Sequence, residues 1–143
     1  MLVNSYDFSY TAYQVINSNG KIVGKIGAQK KLEYNELLKS CDIGLSSVIL
    51  KRKLLTDMKF PELKTKEDFV LWLSLAKKSV NLAGFDKPLM FWRQVPNSLS
   101  SSTLQKLKDA FKVYYIYEKK NFFYSIFCVI RLSVYALLKK INL

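Results

Sequence analysis

Two adjacent carboxylates, Glu67 and Asp68, follow Thr65-Lys66 and directly precede an apolar run that begins at Phe69. A carboxylate held in a fixed position can accept a proton from a substrate hydroxyl, which is general base chemistry. The same residues also fit a structural role, because a threonine followed three positions later by an acid is a common helix start and stabilises a helix by about 1 kcal/mol. The pattern therefore predicts a helix that begins here and leaves both roles of Asp68 open.

The residue types that the chain lacks exclude several kinds of enzyme. Its 143 residues contain no histidine, which removes His-dependent triads, His proton shuttles and most zinc sites. The two cysteines, Cys41 and Cys128, do not form a Cys-x-x-Cys motif, so neither a zinc knuckle nor a thioredoxin-type site is expected. Both cysteines stand among apolar residues, which favours a reduced, cytosolic compartment.

The chain is strongly basic, with 23 Lys and Arg against 11 Asp and Glu and a formal net charge of +12. Such a balance suits an anionic partner, which could be nucleic acid, phospholipid head groups or a phosphorylated substrate. Nucleic acid is the least favoured of these, because no RNP1, zinc-finger or helix-turn-helix signature is present. The length and the 50% hydrophobic content are those of one ordinary folded domain.

The elements that must position the carboxylates begin with a β-hairpin. Residues 6–16 alternate and are rich in Tyr, Phe, Thr and Val, which predicts a strand. Residues 17–20, Asn-Ser-Asn-Gly, form a turn signal in which Gly20 is free to adopt a positive φ. Residues 21–26 then return as a second strand.

A short helix and a small-residue strand are predicted next. Residues 32–40 have an apolar side provided by leucines, which indicates the helix. Residues 41–50 are predicted to form a turn and a buried strand. The small residues Gly44, Ser46 and Ser47 would let another group approach the backbone closely, or would allow tight packing against a helix.

The helix that carries the carboxylates has a core face and a basic end. Phe69, Leu73 and Ala76 fall on one face with Trp72 beside them, so Trp72 is expected to belong to the core. Lysines occupy the last turn, where the helix dipole favours them.

Two short strands, a polar loop and a long helical region are predicted after this helix. Residues 80–85 and 88–92 have the composition of strands, and residues 93–102 form a loop that contains a serine run. From residue 103 onward the chain is predicted to be helical.

The C-terminal segment is both apolar and basic. Residues 121–138 are close to the roughly 20 apolar residues that span a bilayer, but Arg131 lies inside the segment and a central arginine costs about 2.5–3.5 kcal/mol on insertion. Residues 104–143 carry eight Lys or Arg and two acids, which is half of the net charge. This pattern favours a helix lying on an anionic membrane surface; a helix packed on the core or a partner, and a true span, are the alternatives. An apolar stripe runs through Phe123, Phe127, Ile130, Val134 and Leu138.

Several segments, in chain order, resemble one known family. Residues 67–73, Glu-Asp-Phe-Val-Leu-Trp-Leu, are similar to the ED-x-x-L-W-L motif of the family 2 glycosyltransferases with the GT-A fold. The hairpin, the small-residue segment 43–48, and the runs Asp-Lys-Pro-Leu at 86–89 and Trp-Arg-x-x-x-x-Ser-x-Ser at 92–100 resemble further family segments. The resemblance covers nearly the whole chain. It implies an α+β fold that is the C-terminal half of a GT-A, Rossmann-like glycosyltransferase domain, with a C-terminal helical membrane-associating region.

The resemblance implies transfer of a sugar from a nucleotide sugar to an acceptor hydroxyl, with inversion. Asp68 is then implied as the general base and Glu67 as a supporting group, and the helix N-terminus is expected to lower the pKa of Asp68. Arg93 is implied to meet the donor diphosphate, because a guanidinium suits phosphate oxygens. The other substrate-binding residues that the matched segments imply are Gly44, Ser46, Ser47, Trp72, Ser98 and Ser100.

The nucleotide-binding half of the family is missing from this sequence. In the family that half carries the Asp-x-Asp motif for Mn²⁺ or Mg²⁺, and no Asp-x-Asp occurs here, so the resemblance implies a metal whose ligands this chain lacks. We predict an acceptor-side unit at residues 1–102 and a basic helical unit at 103–143, completed by a second chain that supplies the nucleotide site or by self-association. The alternative is a non-catalytic remnant or partner subunit that binds a lipid-linked acceptor or a membrane surface.

The composition and the resemblance together suggest a biological setting. Twenty lysines against three arginines are common where codons are AT-rich, which favours a bacterial source. In bacteria the family mostly builds surface glycans, so the resemblance implies cell-surface polysaccharide biosynthesis from a nucleotide sugar and a lipid-linked or glycan acceptor. The expected location is the cytoplasm, peripheral at the inner face of the plasma membrane.

Overall fold

Strand β1, Phe8–Ile16, lies inside a mixed sheet and pairs with three other strands. The computed structural model describes residues 6–96, 98 and 102–141. The other strands are β2 (Ile22–Ile26), β3 (Lys31–Leu32), β4 (Val48–Leu50) and β5 (Leu82–Arg93). The helices are α1 (Tyr34–Leu37), α2 (Glu67–Lys77), α3 (Thr103–Lys112) and α4 (Phe122–Ile141), and a π-helical turn, Val113–Tyr117, continues α3. Short 3₁₀ turns cover Leu45–Ser47 and Arg52–Leu55.

The sheet combines a hairpin with a parallel crossover. β1 pairs antiparallel with β2 and β4 and in parallel with β5, which in turn pairs antiparallel with β3. The predicted hairpin is confirmed: Gly20 has a φ of 81°, and the side-chain oxygen of Asn17 accepts a hydrogen bond from the amide of Lys21 at 2.9 Å. Parallel strands need a long connection between them, and here that connection contains α2.

Strand β5 is continuous where the sequence predicted two short strands, so that prediction was wrong. It pairs with β1 on both sides of Asp86-Lys87, where the register shifts. The carboxylate of Asp86 accepts hydrogen bonds from the Ala28 amide and the Lys25 ammonium, each at 3.2 Å. These two hydrogen bonds hold the bulge at Asp86-Lys87 against the segment that contains Lys25 and Ala28. The turn signal at Asp86 therefore does not end the strand.

The elements predicted over residues 32–40 and 41–50 are shorter than expected. The helix is the single turn α1, because Lys31–Leu32 first pair with β5. The buried strand is reduced to β4, because Leu45–Ser47 form a 3₁₀ turn in which the Ser47 hydroxyl donates to the Gly44 carbonyl at 2.7 Å.

Helix α2 packs its core face onto the sheet. Phe69 and Leu73 are fully buried, and Trp72 meets Phe8 of β1 edge to face with ring centroids 5.1 Å apart. Burying side chains of this size contributes about 1.5–3 kcal/mol each. The core continues into the C-terminal helices, because the buried Tyr114 packs against Phe69 at 6.2 Å. The division of the chain at residues 102 and 103 stays a prediction.

The predicted helical region from residue 103 is confirmed over its described part, with one break between α3 and α4. The side chain of Glu118, 2% exposed, accepts a hydrogen bond from the Tyr34 hydroxyl and pairs with Lys77 at 2.7 Å. Lys119, which follows, has a φ of 53°. The break is therefore tied to both α1 and α2, and it sets where α4 begins.

Helix α4 has one face in the core and one in solvent. Cys128 and Leu132 are buried, whereas the apolar stripe predicted from the sequence faces outward, with Phe123 82% exposed. Arg131 does not interrupt this stripe, because its guanidinium turns inward and donates to the carbonyl of Leu38 at 3.1 Å. No helix among the described residues combines the length and the apolar character needed to cross a membrane.

Candidate active site

The first turn of α2 begins differently from the predicted capping pattern. The helix is preceded by Lys66, whose φ of 69° lies in the left-handed region, and no side chain caps the helix there. Thr65 instead turns away: its amide and its hydroxyl both donate to Oδ2 of Asp109 in α3, at 2.9 and 2.8 Å. The capping prediction for Thr65 was wrong, because Lys66 occupies the N-cap position and the Thr65 hydroxyl is directed toward Asp109.

Asp109 anchors the segment that leads into the site. It is 1% exposed, and its Oδ2 also accepts a hydrogen bond from Gln105 at 2.9 Å. Burial by itself would raise the pKa of Asp109, but the hydrogen bonds from Gln105 and Thr65 outweigh it and lower that pKa. Asp109 is therefore a stable anion that holds the chain just before the two candidate catalytic carboxylates.

Asp68 is half-buried at the start of α2 and lines a cavity of about 520 Å³. Its Oδ1 accepts a hydrogen bond from the amide of Phe69 at 2.7 Å. Burial raises the pKa of Asp68, and the negative charge of Glu67 adds to this, against the lowering effects of the Phe69 amide and the Lys66 charge. The expected lowering by the helix N-terminus was therefore wrong, because desolvation outweighs it. A carboxylate with a raised pKa is a better proton acceptor once ionised.

The cavity brings together segments that are distant in the sequence. The first turn of α2 forms one wall, the turn after Gly44 a second, and the outer half of β5 a third. Its predicted site residues are Gly44, Ser46, Glu67, Asp68 and Ser98. It also includes Tyr13, Cys41, Lys66, Met90 and Trp92, which the sequence did not single out as site residues.

Gly44 is closely packed at the cavity wall. A Cβ at this position would lie 3.1 Å from the Tyr13 ring and 3.3 Å from the Met90 methyl group, closer than ordinary contact. This agrees with the expectation that a small residue lets a group approach the backbone. Ser47 supports the same turn through its bond to the Gly44 carbonyl and does not line the cavity.

Two further predicted site residues, Trp72 and Arg93, do not line the cavity. Trp72 is 1% exposed in the core and does not line it, so the structure corrects its assignment as a substrate-binding residue. Arg93 donates to the carbonyls of Asn17 and Ser18 at 3.3 and 3.1 Å, at the tip of the hairpin, and its implied contact with a donor diphosphate stays a prediction. Ser100 lies outside the described residues.

The cysteine in the cavity wall does not compete with Asp68 as a reactive group. Burial first, and then the charge of Asp68, raise the pKa of the Cys41 thiol to about 12. A thiol of this pKa is neutral at pH 7 and is a poor nucleophile. Asp68 is therefore the better-supported proton acceptor on this wall.

A metal ion finds no ready ligand set in this part of the protein. Among the described residues, no group of three or more Cys, Asp or Glu side chains is placed to hold one. The divalent metal that the resemblance implies stays a prediction.

Sequence comparison identifies bacterial relatives of this chain. A UDP-Glc:alpha-D-GlcNAc-diphosphoundecaprenol beta-1,3-glucosyltransferase, WfgD of Escherichia coli, is 40% identical over 115 residues, which cover 79% of this chain and 44% of the relative. The chain is a homologue of bacterial glycosyltransferases. TuaG of Bacillus subtilis, whose name assigns it to teichuronic acid biosynthesis, is 30% identical over 142 residues, or 99% of this chain and 56% of the relative. A second Escherichia coli glucosyltransferase, WfaP, is 30% identical over 100 residues.

These relatives confirm the glycosyltransferase relationship. This glycosyltransferase homologue spans about half the length of the curated relatives it matches. No protein-family model matches the chain, and no solved structure matches it. The α/β architecture with its mixed sheet agrees with the Rossmann-like half-domain that the resemblance implied.

Proposed function

We propose that this chain is the acceptor-side part of an inverting glycosyltransferase and that Asp68 is its general base. The acceptor hydroxyl oxygen bonds to the anomeric carbon of a nucleotide sugar, the bond from that carbon to the diphosphate breaks, and the nucleoside diphosphate departs. The hydroxyl proton passes to the carboxylate of Asp68. The observation that carries the proposal is a half-buried carboxylate of raised pKa that faces a cavity.

Glu67 and the neighbouring walls are proposed to serve the acceptor rather than the donor. Glu67 lines the cavity beside Asp68 and helps to raise its pKa, so it both tunes the base and offers an oxygen to a sugar hydroxyl. Trp92 is 41% exposed in the same cavity, and an indole face suits the apolar face of a sugar ring. The nucleotide site is proposed to come from a second chain, from self-association, or from the part of the relatives that this chain does not match.

The acceptor is proposed to be a lipid-linked sugar at an anionic membrane surface. WfgD is named for an acceptor of this kind. In this chain the outward stripe of α4 is continuous and apolar, with Ile130 58% and Leu138 50% exposed. Residues 104–143 carry a net charge of +6, which complements anionic head groups. An apolar helix face with surrounding lysines is typical of a helix that lies in the membrane interface.

The transferase proposal is tested by nucleotide release from a panel of nucleotide sugars, with Mn²⁺ and membrane lipid extract. The chain is assayed alone and together with the part of the Bacillus subtilis relative that it does not match. We expect release in at least one mixture and a loss of about 10²–10⁴-fold in Asp68→Asn. Asp57→Asn, at an exposed position away from the cavity, is the matched control and should retain full activity.

Two results would contradict the transferase proposal. Equal release by the wild type and Asp68→Asn would remove Asp68 as the base. No release in any mixture, from a chain that still binds vesicles, would favour the non-catalytic partner that the sequence left open as the alternative.

The membrane proposal is tested by co-sedimentation with anionic vesicles. We expect binding at low salt that weakens at high salt or with neutral vesicles, because the lysines contribute part of the attraction. A Phe127→Ser, Ile130→Ser double variant should bind at least about tenfold more weakly, since each fully buried apolar side chain contributes about 1.5–3 kcal/mol. An Ile49→Ser, Leu89→Ser variant removes two equally exposed apolar side chains from β4 and β5. Equal weakening in both variants would contradict a specific role of α4.

A further inference from the structure

A cavity of about 660 Å³ lies against helix α3, and neither Glu67 nor Asp68 lines it. Its lysines are Lys64, from the segment before α2, and Lys108 and Lys112, which are one turn apart on α3. We propose that this cavity, here called the α3 cavity, binds the head group of an anionic phospholipid that carries a hydroxyl next to its phosphate. The inference rests on the membrane contact of the proposed function, because that contact supplies the lipid.

The charges around the α3 cavity suit a single phosphodiester. The three lysines are exposed, so their ammonium groups can turn toward a phosphate, which lysine binds as a point charge. Two acidic residues, Glu62 and Asp109, also line the cavity. Three positive and two negative side chains leave the lining with a net charge of +1, which complements the one negative charge of a phosphodiester.

The buried carboxylate of Asp109 adds a directional contact to this charge. Its Oδ2 accepts the hydrogen bonds from Thr65 and Gln105, whereas its Oδ1 is buried and has no hydrogen-bond partner among the described residues. A buried carboxylate oxygen without a donor is costly, and a ligand that brings a donor removes this cost. A hydroxyl next to the phosphate of a head group supplies such a donor.

A series of aromatic contacts joins the α3 cavity to the outward stripe of α4. Phe111, which lines the cavity, stacks on Tyr115 at 5.3 Å and meets Phe122 edge to face at 5.6 Å. Phe122 in turn meets Phe123 of the stripe at 5.7 Å. The rings of Tyr115, Phe122 and Phe123 are exposed, and exposed aromatic side chains favour the boundary between a membrane and water.

This position distinguishes a lipid from a free phosphate compound. A phospholipid whose acyl chains lie among these rings places its head group beside Phe111, at the lysines of the cavity. A nucleotide or a glycerol phosphate would meet the same lysines and Asp109 but would leave the exposed rings in water. The aromatic series therefore favours the lipid.

The α3 cavity is tested by equilibrium binding of soluble probes, with short-chain lipids kept below their critical micelle concentrations. The probes are dihexanoyl phosphatidylglycerol, dihexanoyl phosphatidylmethanol, glycerol phosphate and uridine monophosphate. Phosphatidylmethanol keeps the charge but lacks the head-group hydroxyl, and glycerol phosphate lacks the acyl chains. We expect phosphatidylglycerol to bind at least about fivefold more tightly than each of the others. Equal or tighter binding of any other probe would overturn the proposal.

A pair of charge variants locates the phosphate contact. Lys108→Gln, Lys112→Gln should weaken the binding of dihexanoyl phosphatidylglycerol at least about tenfold, because each lysine close to an anionic head group contributes attraction. Lys39→Gln, Lys78→Gln removes two exposed lysines that do not line the cavity, and it should leave binding within about twofold. Equal weakening by the two double variants would overturn the site.

A pair of tryptophan variants tests the space inside the cavity. Leu107 lines the α3 cavity and is 38% exposed, so Leu107→Trp should fill it and weaken the binding of dihexanoyl phosphatidylglycerol at least about fivefold. Leu104 lies on the same helix, is 63% exposed and does not line the cavity, so Leu104→Trp is the matched control. If both variants bound the lipid as the wild type does, the head group would not occupy this cavity.

Co-sedimentation with phosphatidylglycerol vesicles separates a failure of the α3 cavity from a failure of the membrane contact. If Lys108→Gln, Lys112→Gln and its control Lys39→Gln, Lys78→Gln bind these vesicles equally, the cavity is overturned while the membrane contact stands. If the soluble lipid binds as expected but the vesicles do not bind the wild type, the cavity stands and the membrane contact fails. Neither measurement depends on sugar transfer, so the role of Asp68 is tested independently.

Discussion

Asp109 binds Thr65, which lies three residues before Asp68, so the two aspartates are joined by one short segment. Their surroundings shift their pKa values in opposite directions. Burial raises the pKa of both carboxylates. At Asp109 the donors of Thr65 and Gln105 converge on one oxygen and reverse the effect. At Asp68 the amide of Phe69 opposes burial without overcoming it, and the neighbouring charge of Glu67 works in the same direction as burial.

The contrast shows how the start of α2 and the segment before it can contain both a structural carboxylate contact, that of Asp109, and a reactive carboxylate, Asp68. A buried carboxylate with several donors is stabilised as an anion, and its proton affinity is low. A carboxylate with few donors that faces a cavity keeps a high proton affinity, which suits a general base. Asp109 also fixes Thr65, so the structural carboxylate positions the turn that presents the reactive one.

The largest effect that would sharpen this comparison is the pH dependence of sugar transfer. Asp68 must be ionised to accept a proton, and its pKa is raised, so the rate should fall about tenfold per pH unit below that pKa and level off above it. Asp109 has a lowered pKa and stays ionised over the same range, so the fold is retained. The measurement is the transfer rate between pH 4 and 8, with near-UV circular dichroism at each pH. A rate that is flat over this range in a folded protein would contradict a titrating base.

The next effect is the free energy of unfolding lost when the anchor is removed. Asp109→Ala leaves the amide and hydroxyl of Thr65 and the amide of Gln105 without their shared acceptor, which should cost about 2–4 kcal/mol. Thr65→Val removes one of these bonds and should cost about 1 kcal/mol. Urea denaturation of both single variants and of the double variant gives the coupling between the two residues.

The coupling also decides between the two roles of Thr65. The structure predicts that Thr65→Val has little further effect once Asp109 is alanine, because both changes break the same contact. If Thr65 capped α2, as the sequence pattern suggested, the two effects would simply add.

Local patterns gave much of the fold, and long-range pairing explains where they failed. The hairpin and α2 follow from signals within a few residues of each other, namely the Asn-Gly turn and the spacing of Phe69 and Leu73. β5 could not be predicted as one strand, because the bonds that carry it through Asp86 come from Lys25 and Ala28, about sixty residues earlier. The predicted buried strand at residues 41–50 is short for a local reason: the Ser47 hydroxyl donates to the Gly44 carbonyl and closes a turn there.

The site residues were also predicted where a local motif marks them and missed where a long-range contact places them. Glu67, Asp68, Gly44 and Ser46 were found because motifs mark them, and the structure places them around one cavity. Asp109 gave no signal, since its contact with Thr65 joins residues 44 positions apart. The direction of the Asp68 pKa was also missed, because a sequence shows the helix start but not the burial that opposes it.

The smallest effect concerns the stability cost of keeping Asp68 reactive. A folded-state pKa that is raised above the unfolded value favours the protonated group, so its contribution to stability is present below the unfolded pKa of about 3.9 and is lost as the pH rises through the folded pKa. Asp68→Asn removes the charge and should therefore make the chain slightly more stable than the wild type at pH 7. This gain should fade as the pH falls through the raised folded-state pKa and be absent below about 4. Asp109→Asn should do the opposite: a lowered folded pKa gives stability above about pH 4 that is lost as the pH falls through the folded pKa, so this variant is destabilised at pH 7. Denaturation curves of the two variants at pH 7 and pH 3.5 measure the sign of each stability change. If Asp68→Asn lowered the free energy of unfolding at pH 7, Asp68 would be a structural anion like Asp109 and not a general base.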